Sequence, residues 1–233
     1  MKVRDYVKGK GLEKILVPLY GTWENAEDIP FDSLPDKYVL KCNHGCAYNI
    51  LVPDASRLDI NAAIEQLNSW LSITYKGGAS ELHYADIKPH LVMAEKFLCE
   101  EGEDEMTDFK IHCINGNPEY IQVCYDRDDR GVAHRASYSL DWKPLHWYTE
   151  PECEVERPEH LEEMVEYAKI LSSDFPFVRV DFYDRPEGAI LSELTFTPYG
   201  NMIYWIKPEI LKSLGKKLQL PKTKILGPTA SRG

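Results

Sequence analysis

The sequence predicts an α+β fold, because two amphipathic helical patterns occur beside two pairs of strand patterns joined by short turns. Hydrophobic residues make up 43% of the 233 positions and charged residues 28%, which is typical of a globular protein. We therefore expect antiparallel sheets with helices packed against them.

The first predicted helix covers residues 59–75, where apolar residues recur every three or four positions and form one buried face. A second helix is predicted to begin at Pro158, because proline suits the first helical position and acidic residues follow it near the positive end of the helix dipole. Its apolar side continues to Leu171, and the helix should end before Phe175 and Pro176.

Two β-hairpins are predicted from alternating apolar runs that flank turn-forming residues. Strands at 109–114 and 120–125 surround the turn sequence Asn-Gly-Asn-Pro at 115–118. A second pair of strands, 177–183 and 189–196, surrounds a loop that contains proline and glycine.

The charge and the apolar runs exclude several classes of protein. The chain carries 27 Lys and Arg residues against 38 Asp and Glu residues, a net charge of −11, which disfavours general nucleic-acid binding. No apolar run approaches the roughly 20 residues that span a bilayer, and residues 1–16 lack the apolar middle of a secretory signal. We expect no transmembrane segment and a cytoplasmic location.

The six cysteines show no paired CxxC spacing, so we expect free thiols. Cys42, His44 and Cys46 lie close together, but no second Cys/His pair with matching spacing completes a zinc site. A GxSxG serine motif is also absent from the sequence, which leaves covalent hydrolase chemistry unsupported.

The second hairpin carries two carboxylates that should face each other. Arg179 and Asp181 alternate along one strand and Glu193 and Thr195 along the next, so each pair points to one face. Carboxylates that converge need a cation between them, and hard oxygen ligands favour magnesium or calcium. The alternative is an ordinary hairpin with solvated acidic residues.

Two further segments could contact a nucleotide. Lys41 ends a short apolar strand and precedes a bent loop, an arrangement that can present an ammonium group and backbone N–H groups to phosphate, although an exposed edge-strand lysine is the alternative. Residues 90–98 form an apolar strand that could offer main-chain groups to an adenine edge or could simply belong to the core.

In this order and spacing, the segments resemble the TupA-like ATP-grasp family over nearly the whole chain. The resemblance implies that two α+β lobes with antiparallel sheets clamp ATP, and we expect these lobes at 1–98 and 99–233. The matching segments are KVRDYV at 2–7, LPDKYVLKCNHGCAYNI at 34–50, the strand at 91–98, DFKIHCINGNP at 108–118, FVRVD at 177–181 and ELTFTPYG at 193–200.

The resemblance also implies roles for individual residues towards ATP and Mg²⁺. Lys41 and Arg4 resemble phosphate-binding cations, and Glu95, Lys96 and Leu98 resemble the hinge that meets adenine, the last two through the main chain. The implied magnesium ligands are Asp181, Glu193 and Thr195, the implied clamp on the transferred phosphoryl group is Arg179, and Lys110 and Arg135 are further candidates for phosphate contact.

Three features of the sequence depart from the family pattern. Thr195 stands where the wider superfamily usually has the metal ligand Asn, which predicts weaker magnesium binding. The loop usually reads HGSG, whereas here Cys46 and Ala47 follow His44 and Gly45, which stiffens the backbone. The N-terminal lobe is expected to be short, so a partner protein could supply the missing part.

The function that the resemblance implies is that of an ATP-dependent carboxylate–amine ligase acting through an acyl phosphate. Such chemistry needs aligned substrates and neutralised phosphate charge, and it needs no protein nucleophile. The implied substrates are a carboxylate and an amine, among them an amino acid, a peptide or a uronic-acid sugar of a surface polymer. The alternatives are a phosphotransferase, a nucleotide-binding module without catalysis, and an α+β protein without a nucleotide site.

Overall fold

The computed structural model describes residues 2–75, 81–99, 106–127 and 132–220, and it confirms the α+β class with two antiparallel sheets. Its helices are α1 (Lys2–Gly9), α2 (Ile60–Ser72), α3 (Leu161–Ser172) and α4 (Pro208–Lys217). Its strands are β1 (Leu19–Trp23), β2 (Tyr38–Cys42), β3 (Asn49–Val52), β4 (Val92–Lys96), β5 (Asp108–Ile114), β6 (Asn117–Arg127), β7 (Ala133–Tyr138), β8 (Phe177–Arg185) and β9 (Gly188–Thr195). No described helix is both long enough and apolar enough to cross a membrane.

The smaller sheet has the strand order β1-β4-β2-β3 and packs against α2. Asp59 caps this helix, because its carboxylate accepts a hydrogen bond of 3.0 Å from the Ala62 N–H. The helix buries Leu67 among Tyr38, Leu40 and neighbouring core residues. The predicted helix at 59–75 is therefore confirmed, although it ends three residues earlier, at Ser72.

The larger sheet has the strand order β7-β6-β5-β8-β9 and packs against α3. Helix α1 also contributes to this core through Val7, and the turn that follows adds Leu12 and Ile15. The first residues of the chain therefore pack on the larger sheet. Strands β1 to β4, which follow them in the sequence, form the smaller sheet.

Both predicted hairpins are confirmed. Asn115 and Gly116 form the turn between β5 and β6 with φ values of 50° and 76°, a pair of left-handed residues that a two-residue hairpin requires. A Cβ atom on Gly116 would meet the Ser173 Cα at 3.2 Å, so glycine also allows the turn to approach the end of α3. The second hairpin joins β8 to β9, and both of its strands are antiparallel as expected.

The two faces of the larger sheet differ in chemistry because side chains alternate along each strand. One face is apolar and packs on α3, with residues such as Ile111, Val123 and Val180 fully buried. The other face carries polar and charged residues in register across neighbouring strands. We call it the polar face, and it comprises Lys110, His112, Gln122, Arg135, Arg179, Asp181, Glu193 and Thr195.

Helix α3 begins at Leu161, so its predicted start at Pro158 is wrong. Asp184, at the end of β8, accepts hydrogen bonds from the backbone N–H groups of Glu159 at 2.7 Å and His160 at 3.4 Å. The same carboxylate lies 2.7 Å from His160 Nδ1. The backbone N–H groups that precede α3 are thus bonded by a side chain distant in sequence. The local pattern had instead predicted that the helix begins at the proline.

We predict that Asp184→Ala lowers the free energy of unfolding by about 1–2 kcal/mol, as the loss of a capping side chain does. The hydrogen bond with Asp184 raises the pKa of His160 above its ordinary value. The charged pair therefore stabilises the fold below the unfolded pKa of about 6.5, and this contribution is lost as the pH rises through the folded pKa.

Urea denaturation at about pH 5.5 and about pH 8 should accordingly show the larger effect of Asp184→Ala at the lower pH. Asp32→Ala, at an exposed aspartate, serves as the control. An equal loss at both pH values would contradict the role of His160.

Candidate functional site

A cavity of about 490 Å³ lies between the two sheets. Strands β2 and β4 and the loop after β2 contribute one part of its wall, and β9 contributes another. The volume falls within the range of about 300–1,000 Å³ that is typical of small-molecule sites. The predicted site residues in its wall are Arg4, Lys41, Glu95, Glu193 and Thr195, whereas Lys96, Leu98, Lys110, Arg135, Arg179 and Asp181 do not line it.

Two predicted phosphate-binding cations meet at one carboxylate in this wall. Glu95 accepts a hydrogen bond of 3.2 Å from Arg4 Nη1 and one of 3.0 Å from Lys41 Nζ. Arg4 Nη2 also donates to the Val17 carbonyl oxygen at 2.9 Å. Because one buried carboxylate is shared by two cations, this corner of the cavity keeps an excess of positive charge that suits an anionic ligand.

The residues predicted to form the adenine hinge differ in their position relative to the cavity. The Glu95 carboxylate lines the cavity but is engaged by Arg4 and Lys41. The Lys96 N–H donates to the Pro18 carbonyl oxygen at 2.9 Å, and the Lys96 side chain reaches Glu187 at 3.4 Å. The main-chain roles of Lys96 and Leu98 towards adenine therefore stay predictions.

The Asp181 carboxylate is fully buried and is held by two cations on the polar face. Arg179 donates two hydrogen bonds to it, from Nε at 2.7 Å and from Nη2 at 2.6 Å. Lys110 Nζ donates a third at 2.8 Å. Burial alone would raise the pKa of Asp181, but the charges of Lys110 and Arg179 outweigh burial and lower it. The carboxylate is therefore ionised and forms a strong ion-pair network.

A chain of hydrogen bonds connects this buried network to the cavity. Arg179 Nη2 donates to the Thr195 hydroxyl oxygen at 3.1 Å, and the Thr195 hydroxyl in turn donates to the Glu193 carboxylate. Thr195 and Glu193 line the cavity, and Glu193 is exposed within it. Arg179 thus lies directly behind the cavity wall, one hydrogen bond from it.

The magnesium assignment stays a prediction. Asp181 and Glu193 are paired in register on neighbouring strands, as the sequence suggested. Both Asp181 oxygens, however, contact cations, and the described residues contain no group of three or more His, Cys, Asp or Glu side chains that could hold a metal ion. Of the three predicted ligands, Glu193 and Thr195 line the cavity.

The loop after β2 is fastened to helix α2. Tyr48 stacks on Trp70 with ring centroids 5.1 Å apart, and the buried His44 contacts the Trp70 carbonyl oxygen at 3.0 Å. A Cβ atom on Gly45 would meet the Tyr48 ring at 2.3 Å, so glycine makes this packing possible. Ala47 has a φ of 59°, a left-handed conformation that is strained for alanine, at the position where the family pattern has its second glycine.

Tyr84 lines the same cavity and was not foreseen from the sequence. Burial, with the nearby carboxylates of Glu193 and Glu81, raises the pKa of Tyr84 to about 12. The phenol therefore keeps its proton at neutral pH and can donate a hydrogen bond to a ligand. No local pattern around Tyr84 marks it, because its segment contacts the site only through tertiary packing.

Arg135 lies on a different part of the polar face. Its guanidinium carbon is 4.6 Å from the centroid of the Trp205 ring and 5.8 Å from that of Tyr199. The side chain of Arg135 does not line the cavity, and its predicted phosphate contact stays a prediction.

We predict that Asp181→Asn lowers the free energy of unfolding by about 3–5 kcal/mol, because it leaves two buried cations without their carboxylate. Glu13→Gln, in the exposed pair of Lys8 and Glu13, should change it far less, because solvent screens an exposed ion pair. Urea denaturation of both variants measures the difference, and similar small losses would show that the buried network is not required.

Crystal structures of ATP-grasp ligases share this fold. The D-alanine–D-alanine ligase of Bacillus anthracis matches with a TM-score of 0.54 and 16% identity over 91% of this chain and 60% of the ligase chain. The corresponding ligase of Helicobacter pylori matches with a TM-score of 0.53 and 17% identity, over 93% and 60% of the two chains. D-cycloserine synthetase DcsG matches with a TM-score of 0.51 and 11% identity, over 94% and 69%.

The chain therefore spans about 60% of the length of the two D-alanine–D-alanine ligases. No curated protein matches it significantly. The family model described as TupA-like ATPgrasp matches residues 1–219, which is nearly all of the sequence. Together with the cavity between two antiparallel sheets, this match shows that the chain belongs to the TupA-like ATP-grasp family.

Proposed function

We propose that the protein is an ATP-dependent carboxylate–amine ligase. The observation that carries the proposal is the cavity between the sheets, which has Arg4 and Lys41 in one wall and Glu193 and Thr195 in another. Arg179 lies behind that second group. A Bacillus anthracis ligase of the same fold has been crystallised in complex with ATP, with a TM-score of 0.52 to this chain, which supports a nucleotide as the occupant.

In the proposed reaction, a substrate carboxylate oxygen bonds to the γ-phosphorus of ATP while the bond from that phosphorus to the β,γ-bridging oxygen breaks, and ADP leaves. The amine nitrogen of the second substrate then attacks the acyl carbon, inorganic phosphate departs, and the nitrogen loses a proton to give the amide. Neither step needs a protein nucleophile. The protein contributes alignment and positive charge where phosphate charge develops.

The cationic side chains of this protein have separate roles in the proposed reaction. Lys41 and Arg4 bind phosphate oxygens of the nucleotide, which compete with Glu95 for the same donors. Arg179 acts on the transferred group from behind Thr195, where its planar guanidinium is fixed by two hydrogen bonds to Asp181. Lys110 holds Asp181 from the other side and keeps this orientation.

Magnesium, when bound with the nucleotide, supplies positive charge to the phosphate oxygens. Glu193 and Thr195 are chemically suited to hold it, because they offer a carboxylate and a hydroxyl to the cavity and magnesium takes only a few protein oxygens beside water and phosphate. Asp181, directly across the strand pair from Glu193, is the further proposed ligand, and magnesium would compete there with Arg179 and Lys110 for its oxygens.

The substrates are a carboxylate and an amine, and we propose an amino acid, a peptide or a uronic-acid sugar of a surface polymer among them. This substrate class is the one that the resemblance to the TupA-like ATP-grasp family implies. The proposed site of the reaction is the cytoplasm, where ATP is made. A partner protein that contributes to the acceptor site belongs to the same proposal.

Binding of Mg-ATP is the first prediction of this proposal. Lys41→Met should weaken Mg-ATP binding at least about tenfold, because one charge-assisted hydrogen bond to phosphate contributes about 1.5–3 kcal/mol. Lys143→Met, at an exposed lysine, should leave it unchanged. Calorimetric titration with Mg-ATP and with ATP plus a chelator gives both the affinity and its dependence on magnesium.

Glu193→Gln extends this titration to the metal, because Glu193 is exposed and its loss should spare the fold. It should abolish most of the gain in affinity that magnesium gives to the wild type. Equal affinities of wild type and Lys41→Met would contradict the nucleotide site itself.

Turnover is the second prediction. With ATP, magnesium and candidate carboxylates such as D-alanine, L-glutamate and D-glucuronate, hydroxylamine should trap the acyl phosphate as a hydroxamate, with ADP and phosphate released in equal amounts. Arg179→Lys should lower this rate about 100-fold or more while nucleotide affinity changes little, because lysine keeps the charge but cannot make the double hydrogen bond.

Other products would distinguish the alternative functions. Release of ADP without phosphate or hydroxamate would identify a phosphotransferase. Mg-ATP binding without ADP release, for every carboxylate tested, would favour a nucleotide-binding module.

A further inference from the structure

The polar face continues beyond the cavity to a second cationic position on β7. There Arg135 packs over Trp205, with its guanidinium carbon 4.6 Å from the ring centroid. Trp205 belongs to a separate buried cluster with Tyr120, Tyr148 and Ile206. We call Arg135, Tyr148 and Trp205 the arginine subsite.

The arginine subsite is rich in hydrogen-bond donors that have no acceptor. Arg135 Nε, the Trp205 indole Nε1 and the Tyr148 hydroxyl are buried atoms without a hydrogen-bond partner among the described residues. Burial raises the pKa of Tyr148 well above its ordinary value, so the hydroxyl keeps its proton. Unpaired buried donors are unfavourable unless water or a ligand supplies acceptors.

Arg135 also differs from the other cations of the site. Arg4, Lys41, Lys110 and Arg179 each pair with a carboxylate of this chain. In the described part of this acidic protein, no carboxylate forms an ion pair with Arg135. A guanidinium stacked on an aromatic ring and free of a protein carboxylate is well suited to bind a carboxylate from outside.

Tyr199 connects the arginine subsite to the reacting groups. The guanidinium carbons of Arg179 and Arg135 lie 5.6 Å and 5.8 Å from the centroid of the same Tyr199 ring. The Tyr199 hydroxyl accepts a hydrogen bond of 2.7 Å from Gln122 Nε2. Tyr199 and Asn201 both have left-handed backbones, with φ values of 54° and 62°, so the chain tolerates local strain to hold this ring between the two arginines.

We propose that the arginine subsite binds the non-reacting carboxylate of the amine substrate, which makes that substrate an amino acid. This inference rests on the proposed ligase function. The carboxylate to be phosphorylated must lie in the cavity beside the nucleotide phosphates, and Arg135 does not line that cavity, so a carboxylate held at the arginine subsite belongs to a group that does not react. This role replaces the phosphate contact that the sequence suggested for Arg135.

The test uses the full chain and the fluorescence of Trp205, on which Arg135 packs. In the presence of Mg-ADP, we would titrate L-alanine, D-alanine, L-glutamate and L-lysine, each beside its α-carboxamide, which keeps the amine and lacks the carboxylate. At least one amino acid should bind about tenfold or more tightly than its carboxamide in the wild type, as expected for a charge-assisted pair.

Arg135→Gln should remove this preference, and Arg135→Lys should retain part of it and serve as the second variant should the first fail to fold. Arg57→Gln, whose side chain is 86% exposed in the wild type, is the matched control and should behave as the wild type.

The affinity for Mg-ADP is measured separately on each variant, so that failure of the subsite and failure of the nucleotide site are distinguishable. No preference for any amino acid over its carboxamide in the wild type would overturn the inference. A loss of Mg-ADP affinity in Arg135→Gln without a change in that preference would also overturn it and would assign Arg135 to phosphate instead.

Discussion

The Asp181 carboxylate lies out of reach of solvent between the Arg179 guanidinium and the Lys110 ammonium, and the polar face is arranged around this group. Removing three charges from water is unfavourable unless each meets an opposite charge with good geometry. The three side chains come from two neighbouring strands, so the register of β5 on β8 must be kept for them to meet. The same constraint fixes the orientation of Arg179, and through Thr195 it determines what the cavity presents to a ligand.

The larger sheet thus serves two purposes with its two faces. Its apolar face packs on α3 and supplies the burial that stabilises the lobe, while its polar face gathers cations into a protein whose net charge is −11. Local charge outweighs the overall balance at such a site, since screened charges at a distance contribute little against contacts of about 3 Å. The excess of acidic residues therefore says little about which ligands this face accepts.

Much of the fold could be predicted from the sequence, because the hairpins and α2 depend on local patterns of apolar and turn residues. The alternation along the second hairpin also predicted that Asp181 and Glu193 pair across strands. What could not be predicted depends on contacts between distant residues. Arg4 meets Glu95 across 91 positions and Lys110 meets Asp181 across 71, so a predicted metal ligand became the centre of an ion-pair network. The capping of α3 by Asp184 and the position of Arg135 on Trp205 likewise depend on contacts between residues that are distant in the sequence.

The stack of Tyr48 on Trp70 has a consequence for how the cavity opens. A loop that is fastened to a helix by an aromatic stack and a buried histidine moves together with that helix. Any widening of the cavity on this side would then displace the loop together with α2, a collective motion of the microsecond-to-millisecond class. The viscosity of the solvent, which resists the movement of a loop and helix together far more than that of a short flap, would then influence how fast a ligand enters or leaves the cavity.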